Sequence, residues 1–405
     1  MRVLFLGDLA GTGFGSVTLD LGRAMIAQGM DLRFISQNEF GSLPEDFRER
    51  TFVVNDPSGW IALRRGGMPG LFDGSLWTDA WKPEAAIILG DFYTVQGVVM
   101  HNEETRAAFK SVPTLHYIPV EGVDLPPTWK YLWDVIHPVA MSNFGADQIE
   151  RIMGYRPPMV YHGVNTEDFR PASGDHPLWV NDRPLRTKGD CKKFFGGNPN
   201  HKWVFRADRH MPRKRYNSLF RAMAPVLASH PDTFLVTHCK TDDEGGNLND
   251  TIAKYPKALQ ARMLNTGFHD QTGGASRQVL AALYNAADVY VSVSAEGFGL
   301  TVAEAIACGT PAVGIDYSSV PEVIGPAGIV APIAGLIDNE YDHFWAAADE
   351  QKFGPIVSKL LDDDILRKQL GKAGPAHVRS TFSWTQAAMQ FGEAIAERVN
   401  QGIAA

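Results

Sequence analysis

Three cysteines in 405 residues, Cys191, Cys239 and Cys308, are too few and too scattered to frame a disulfide scaffold or to give metal-ligand spacing. They point to a reducing compartment. No apolar run reaches the ~18 residues of a membrane span, and the apolar start of "MRVLFLGDLAG" is too short for a signal peptide. A basic surplus is also missing. Lys and Arg number 38 against 46 Asp and Glu, a net charge of −8. That balance argues against a dedicated nucleic-acid binder, though it leaves room for a local basic cleft. There is no internal repeat and no low-complexity tract. What remains is 44% hydrophobic and 21% charged, a globular composition, in a chain long enough for two domains. A cytoplasmic protein is the expectation.

Short apolar runs alternate with helical spacing. "RVLFLG", "DLRFIS", "AAIILG", "PTLHYIP" and "VIHPVAMS" read as strands, and "VTLDLGRAMIAQG" reads as a helix stopped at Gly29. The rhythm restarts with "KWVFRAD", "TFLVTHC", "RMLNTGF", "DVYVSVS" and "PAVGI". Two βα series predict an α/β protein with two doubly wound domains. The first is expected over 1–170 and the second over 171–380, with an amphipathic terminal helix over 381–405. The stretch 166–200, rich in Pro, Gly, Asp and Lys and without clear periodicity, reads as a linker.

Chemistry concentrates in two places. In "AEGFGLTVAEAIACGTP" seven residues separate Glu296 from Glu304. Glu296 follows the strand "DVYVSVS" in a loop whose glycines let backbone amides approach a ligand closely. Such a loop, at the carboxyl end of a parallel strand, is where open α/β sheets bind ligands, and a helix N-terminus there favours phosphate. Thr301-x-x-Glu304 also reads as a capping box, in which Glu304 only satisfies an orphan amide. The second place is "RADRHMPRKR", with Arg206, Arg209, Arg213, Lys214 and Arg215 after a strand. By itself it reads equally as a solvated basic loop or a nucleic-acid contact.

Residues 283–325, with "EGFGL", "EA" and "CGTP" in order, resemble the donor-site segment of family-4 retaining glycosyltransferases, whose signature is two glutamates seven residues apart. Residues 142–171 and "VFRADRHMPRKRYNSLFRAM" resemble the exit from that family's first domain and the start of its second. "FSW" resembles its closing helix, which crosses back to the first domain. The resemblance implies the GT-B fold, two Rossmann-like domains facing a central cleft. It implies a retaining hexosyltransferase that uses a nucleotide-diphosphate sugar.

By position the resemblance gives Glu296 contact with donor-sugar hydroxyls and Glu304 the ribose. A carboxylate suits a diol because charged acceptors make the stronger hydrogen bonds. It sets the amides of Phe298, Gly299, Leu300 and Thr301 toward the diphosphate. Arg209 and Lys214 become the pyrophosphate pair, where fixed cations would stabilise the leaving group. "GDLAGTGFGS" becomes the family's first loop, with Gly15 nearest the diphosphate. Gly11-x-Gly13-x-Gly15 does not fit the dinucleotide fingerprint and by itself is a turn. His116 stands where the family often has a histidine approaching the sugar; a packed, hydrogen-bonded histidine is the alternative, and His101 is a rival.

The family's catalysis generally needs no metal or other cofactor, and His238, Asp242 and Asp243 show no recognisable ligand set. The expected partners are a nucleotide-sugar donor and a hydroxyl acceptor. A nucleic-acid acceptor, a sugar-nucleotide epimerase and a non-catalytic binding module stay open as alternatives. Base, sugar and acceptor are not named by the sequence. The "RRGGMPGLFDGSLW" stretch, on the expected acceptor side, matches nothing specific.

Overall fold

The expected apolar runs form parallel strands in a computed structural model that describes all of the chain except residues 10–11, 37–42, 54–67, 78, 273, 340–341 and 404–405. Gly11 of the first loop and the opening residues 64–67 of "RRGGMPGLFDGSLW" therefore lie outside the described residues. The chain divides into two compact units, Met1–Gly163 with Phe382–Ala405, and Val164–Thr381.

In the first unit six strands, β1 (Arg2–Gly7), β2 (Asp31–Ser36), β3 (Thr51–Val53), β4 (Ala85–Leu89), β5 (Thr114–Ile118) and β6 (His137–Ala140), pair in the order β3-β2-β1-β4-β5-β6. Every pairing is parallel. All residues of β4 and β5 are buried, as expected of strands covered on both faces. Helix Gly13–Ala27 follows β1, and the terminal helix Trp384–Ile403 packs on it. Phe391 of that terminal helix meets the Tyr117 ring edge-on at 4.9 Å. A Cβ at Gly163 would overlap the backbone of Trp384, so glycine is what lets the chain approach there.

The second unit opens with two short features where a linker was expected. A hairpin joins β7 (Leu178–Val180) to β8 (Arg183–Leu185), and the helix Lys188–Phe194 follows. Asn181 and Asp182, both at positive φ (47° and 60°), make the two-residue turn. Thr187 and Asp190 form a complete capping box on the helix. Both features are encoded by turn and cap residues, so no periodicity marks them.

The second sheet uses β9 (Lys202–Ala207), β10 (Thr233–His238), β13 (Met263–Asn265), β14 (Val289–Ser292), β15 (Ala312–Ile315) and β16 (Gly328–Ala331), in the order β13-β10-β9-β14-β15-β16. Two hairpins, β11 (Asp242–Asp243) with β12 (Gly246–Asn247) and β17 (Ile333–Asp338) with β18 (Phe344–Ala348), lie outside it. Val204, Leu235, Val291 and Val313 join Phe353 and Leu360 in a buried core on one face. The order sets β9 beside β14, with Val289 opposite Val204. That is the point where the winding reverses, and loops leaving these two carboxyl ends flank a crevice. Among the described residues no helix is long and apolar enough to cross a membrane.

Candidate functional site

The loops from the carboxyl ends of β9 and β14 are the basic run and the glutamate turn, and their side chains meet. Lys214 Nζ lies 2.7 Å from both carboxylate oxygens of Glu296 and 2.8 Å from Asp208 Oδ1. The two Glu296 contacts are hydrogen bonds, and the Asp208 contact is an ion pair. Ser294 Oγ donates to Glu296 Oε1 at 2.8 Å and accepts from Arg206 Nη2 at 2.9 Å. Arg206 Nη2 also donates to the Lys214 carbonyl at 2.8 Å and lies 3.1 Å from Asp208 Oδ2, an ion contact without hydrogen-bond alignment. The side chains thus close a ring: Arg206, Ser294, Glu296, Lys214, Asp208 and back to Arg206.

Arg206 is fully buried, with its guanidinium 5.1 Å from the centre of the Tyr216 ring. Arg213 completes the cluster, its Nη1 donating to the Ala295 carbonyl at 3.1 Å and lying 3.6 Å from Glu296 Oε2. Burial would raise the Glu296 carboxyl. The charges of Lys214 and Arg213, with hydrogen bonds from Lys214 and Ser294, outweigh it and hold the group below its ordinary range. Three cations against two carboxylates leave the cluster net positive, a setting for an anionic ligand.

The glutamate turn is pinned from the loop after β15. The Glu296 amide donates to Ser318 Oγ at 2.9 Å, and Ser319 Oγ bridges the carbonyls of Glu296 (2.7 Å) and Phe298 (2.8 Å). Phe298 is buried. Gly299, at φ 96°, occupies the N-cap of the helix Leu300–Ala307, a left-handed position that suits glycine, and no side chain caps that helix. Thr301 is therefore the second helical residue, and the capping box with Glu304 does not form. Instead the Tyr290 hydroxyl contacts Thr301 Oγ1 at 2.8 Å, and the Tyr284 hydroxyl donates to Glu304 Oε2 at 2.8 Å. Glu304 is buried on this helix.

Arg209 takes a different position from Lys214. Its guanidinium bonds Asp243 through Nε (3.1 Å) and Nη2 (2.8 Å), and Glu244 through Nη2 (2.9 Å), on the β11–β12 hairpin. Its side chain is 56% exposed. The expected cation pair is thus divided: Lys214 and Arg213 face Glu296, while Arg209 is held by two acids of its own. Among the described residues no group of three or more His, Cys, Asp and Glu is placed to hold a metal. His238 pairs with Thr266 Oγ1 at 2.7 Å and stacks near His269.

Gly15 and His116 belong to the first unit. Gly15 lies in the first turn of Gly13–Ala27, and its amide donates to Thr12 Oγ1 at 3.0 Å as that helix's cap. Thr12 Oγ1 in turn donates to Asp8 Oδ2 at 2.7 Å. His116, on β5, is fully buried. Its Nε2 lies 3.0 Å from the Gly90 carbonyl, which can only accept, so Nε2 carries the proton; Nδ1 then accepts from Trp133 Nε1 at 3.3 Å. Burial pushes its pKa down to about 4, against a small rise from the Gly90 bond. Both ring nitrogens are hydrogen-bonded within the first unit. His101 is exposed.

Nothing in the sequence singles out Asp208, Ser294, Ser318 or Ser319, and Arg206 stands there only as one of five cations. Asp208 stands inside the quoted run "RADR" and Ser294 two residues before Glu296. Only the adjacency of β9 and β14 turns these neighbours in sequence into neighbours in space.

Residues 192–377 match the family model described as "Glycosyl transferases group 1". A GDP-mannose-dependent monoacylated alpha-(1-6)-phosphatidylinositol monomannoside mannosyltransferase from Corynebacterium glutamicum is 27% identical, over 53% of this chain and 55% of that protein. A D-inositol 3-phosphate glycosyltransferase from Streptomyces bingchenggensis is 28% identical, over 64% and 52%. The chain spans about half the length of these two relatives. A further D-inositol 3-phosphate glycosyltransferase, from Thermobispora bispora, is 24% identical over 96% and 90%. Among solved structures, sucrose-phosphate synthase from Thermosynechococcus elongatus superposes with a TM-score of 0.71 at 17% identity, covering 98% of both chains. Anabaena HepE, in complex with UDP and glucose, superposes with a TM-score of 0.69 at 15% identity, covering 98% of this chain and 100% of that one. These likenesses carry the GT-B fold.

Proposed function

We propose that the chain is a family-4 glycosyltransferase of the GT-B fold and moves a sugar from a nucleotide-diphosphate sugar to a hydroxyl acceptor with retention of configuration. The observation that carries this reading is the meeting of Lys214 with Glu296 at the carboxyl ends of β9 and β14, beside the uncapped helix Leu300–Ala307. Lys214 and Arg213 supply positive charge where a departing diphosphate gains negative charge. Amides of the uncapped first turn add donors for the same oxygens. Glu296 accepts sugar hydroxyls, and Glu304 accepts from the ribose while Tyr284 steadies it. Arg209 reaches the diphosphate by exchanging Asp243 and Glu244 for phosphate oxygens.

The reaction calls for no metal or other cofactor. The three cysteines, all buried and in no disulfide among the described residues, suit a reducing cytoplasm. The relatives direct the choice of first substrates: GDP-mannose as donor, and a cyclitol phosphate or a mannosylated lipid headgroup as acceptor.

A thermal-shift panel of UDP-, GDP- and ADP-sugars selects the donor, since a ligand at 100 times its Kd stabilises the folded chain by roughly 2.7 kcal/mol. An NMR time course with the selected α-linked donor and acceptor, in buffer and in EDTA, then tests the reaction. An α-linked product in both is expected. A β-linked product overturns retention, loss of turnover in EDTA overturns the metal-free step, and a rearranged donor formed without acceptor assigns an epimerase instead.

A further inference from the structure

We propose that Asp208 is a positioning residue for the diphosphate-binding lysine, holding Lys214 Nζ at the end of β9 when a phosphate oxygen draws it from Glu296; this rests on the donor reading above. Lys214 Nζ donates to both oxygens of Glu296 and forms an ion pair with Asp208 Oδ1 at 2.8 Å. An incoming phosphate oxygen competes with these acceptors for the ammonium.

The two carboxylates differ in what each keeps when the lysine moves. Glu296 retains the hydroxyl of Ser294 at 2.8 Å and the Arg213 guanidinium at 3.6 Å, and its sugar-binding role supplies hydroxyl donors in exchange. Asp208 has no such reserve. Among the described residues its Oδ1 faces Lys214 Nζ, and its Oδ2 faces only Arg206 Nη2. Releasing Lys214 from Asp208 would leave a nearly buried carboxylate half-compensated, and uncompensated buried charge is what the interior tolerates least. Phosphate therefore displaces Glu296, and Asp208 stays.

Arg206 makes that anchor rigid. It is fully buried, and its single Nη2 binds the Lys214 carbonyl, contacts Asp208 and binds Ser294. The main chain of Lys214 and the carboxylate that steers its side chain are thus referred to one guanidinium. A nitrogen held this way meets a diphosphate without first ordering a four-carbon chain. The same exchange frees Glu296 for the sugar only once phosphate has arrived. Asp208 touches neither sugar nor phosphate in this scheme; it acts through Lys214.

The test uses the full chain with Asp208→Asn, Asp208→Glu, Lys214→Ala and the double variant Asp208→Asn/Lys214→Ala. Calorimetry with UDP, GDP and ADP, and with uridine, guanosine and adenosine as phosphate-free controls, gives the affinities. Asp208→Asn is expected to raise the Kd of the bound nucleoside diphosphate about tenfold, with its nucleoside unchanged. Asp208→Glu, which restores the charge, should recover part of that loss, and it carries the test if the Asn variant does not fold. The double variant should bind no worse than Lys214→Ala. Parental affinity in Asp208→Asn, equal losses for nucleoside and nucleoside diphosphate, or additive losses in the double variant would each overturn the positioning role. If Lys214→Ala itself leaves diphosphate affinity intact, the donor reading has failed and this role falls with it.

Discussion

Lys214 Nζ sits 2.7 Å from both oxygens of Glu296, so the cation proposed for the donor's phosphate and the carboxylate proposed for its sugar hold each other. Competition for the lysine separates two properties that usually move together. In Glu296→Gln the amide accepts one weaker bond from Lys214, and the ammonium becomes easier for a diphosphate to take. Turnover should fall by about 10- to 100-fold, equivalent to about 1.5 to 3 kcal/mol for a lost charged hydrogen bond to the sugar. Affinity for the free nucleoside diphosphate should rise in the same variant. Steady-state kinetics beside calorimetry reads both. Weaker diphosphate binding in a folded variant would mean that Glu296 does not compete for Lys214.

Lys214→Ala and Arg209→Ala test the two cations proposed for the diphosphate. Lys214 is already inside the cluster, whereas Arg209 has to leave Asp243 and Glu244, and its bonds hold the Asp243 carboxyl below the ordinary carboxylate range. Each variant should weaken nucleoside diphosphate binding and leave nucleoside binding at the parental value. Lys214→Ala should lose tenfold or more, on the order of 1.4 kcal/mol or above. Arg209→Ala should lose less, because breaking its ion pairs with Asp243 and Glu244 offsets part of what phosphate contact contributes. Equal losses for nucleoside and nucleoside diphosphate would take the diphosphate assignment away from either residue.

Glu304 is open to a cleaner comparison than its sequence context suggested, because Gly299 rather than Thr301 occupies the N-cap. Glu304→Gln keeps one acceptor for the Tyr284 hydroxyl, replaces the other carboxylate oxygen with an NH2 group and removes the charge. Thermal stability without nucleotide should stay within about 1 kcal/mol of the parent, since one hydrogen bond to Tyr284 is kept, while affinity for the ribonucleotide falls. A 2′-deoxy or 3′-deoxy nucleotide should show a smaller gap between parent and variant, since part of the diol is already missing. Equal ribonucleotide affinities would make Glu304 a partner of Tyr284 and nothing more.

The strands that escaped the sequence reading show where its physics ran out. β1, β4, β5, β9, β10 and β14 are near-continuous apolar runs because helices cover both faces, and such runs are legible without a structure. β3 is three residues long, and β16 begins at Gly328 after a turn of 3-10 helix, so neither carries a pattern that stands apart from a loop. Within the site, the turn at Gly299 and the helix ending before Gly309 were legible because glycine marks left-handed backbone. The Asp208–Lys214 contact was not. A carboxylate six residues before a lysine reads as a surface charge until β14 arrives beside β9 and buries both. For His116 the sequence is silent on its partners, since a histidine on a strand looks the same whatever its nitrogens face, here Gly90 and Trp133.

That burial makes His116 a test of acid stability. A histidine in the unfolded chain titrates near 6.5, and His116 in the folded chain titrates at about 4 because burial disfavours its cation. Above pH 6.5 both states carry it neutral, and its contribution is fully present. As the pH falls from 6.5 toward 4 the unfolded chain takes up a proton that the folded chain refuses, so stability is lost across that window, by at most about 3 kcal/mol. Below pH 4 both states are protonated and the loss stops growing. His116→Asn keeps an amide to donate to Gly90 and a carbonyl to accept from Trp133, and it titrates nothing. His137, His162 and His238 are also pushed down, to about 4, 3 and 4, and they remain in the variant, so its stability still declines with acid. The difference between parent and variant is the signal. Urea unfolding at intervals from pH 7.5 to pH 4 should show the parent losing stability faster than His116→Asn, with the two slopes converging at either end. Parallel curves throughout would mean that His116 accepts its proton without unfolding, and that its ring lies nearer to solvent than the Gly90 and Trp133 contacts place it.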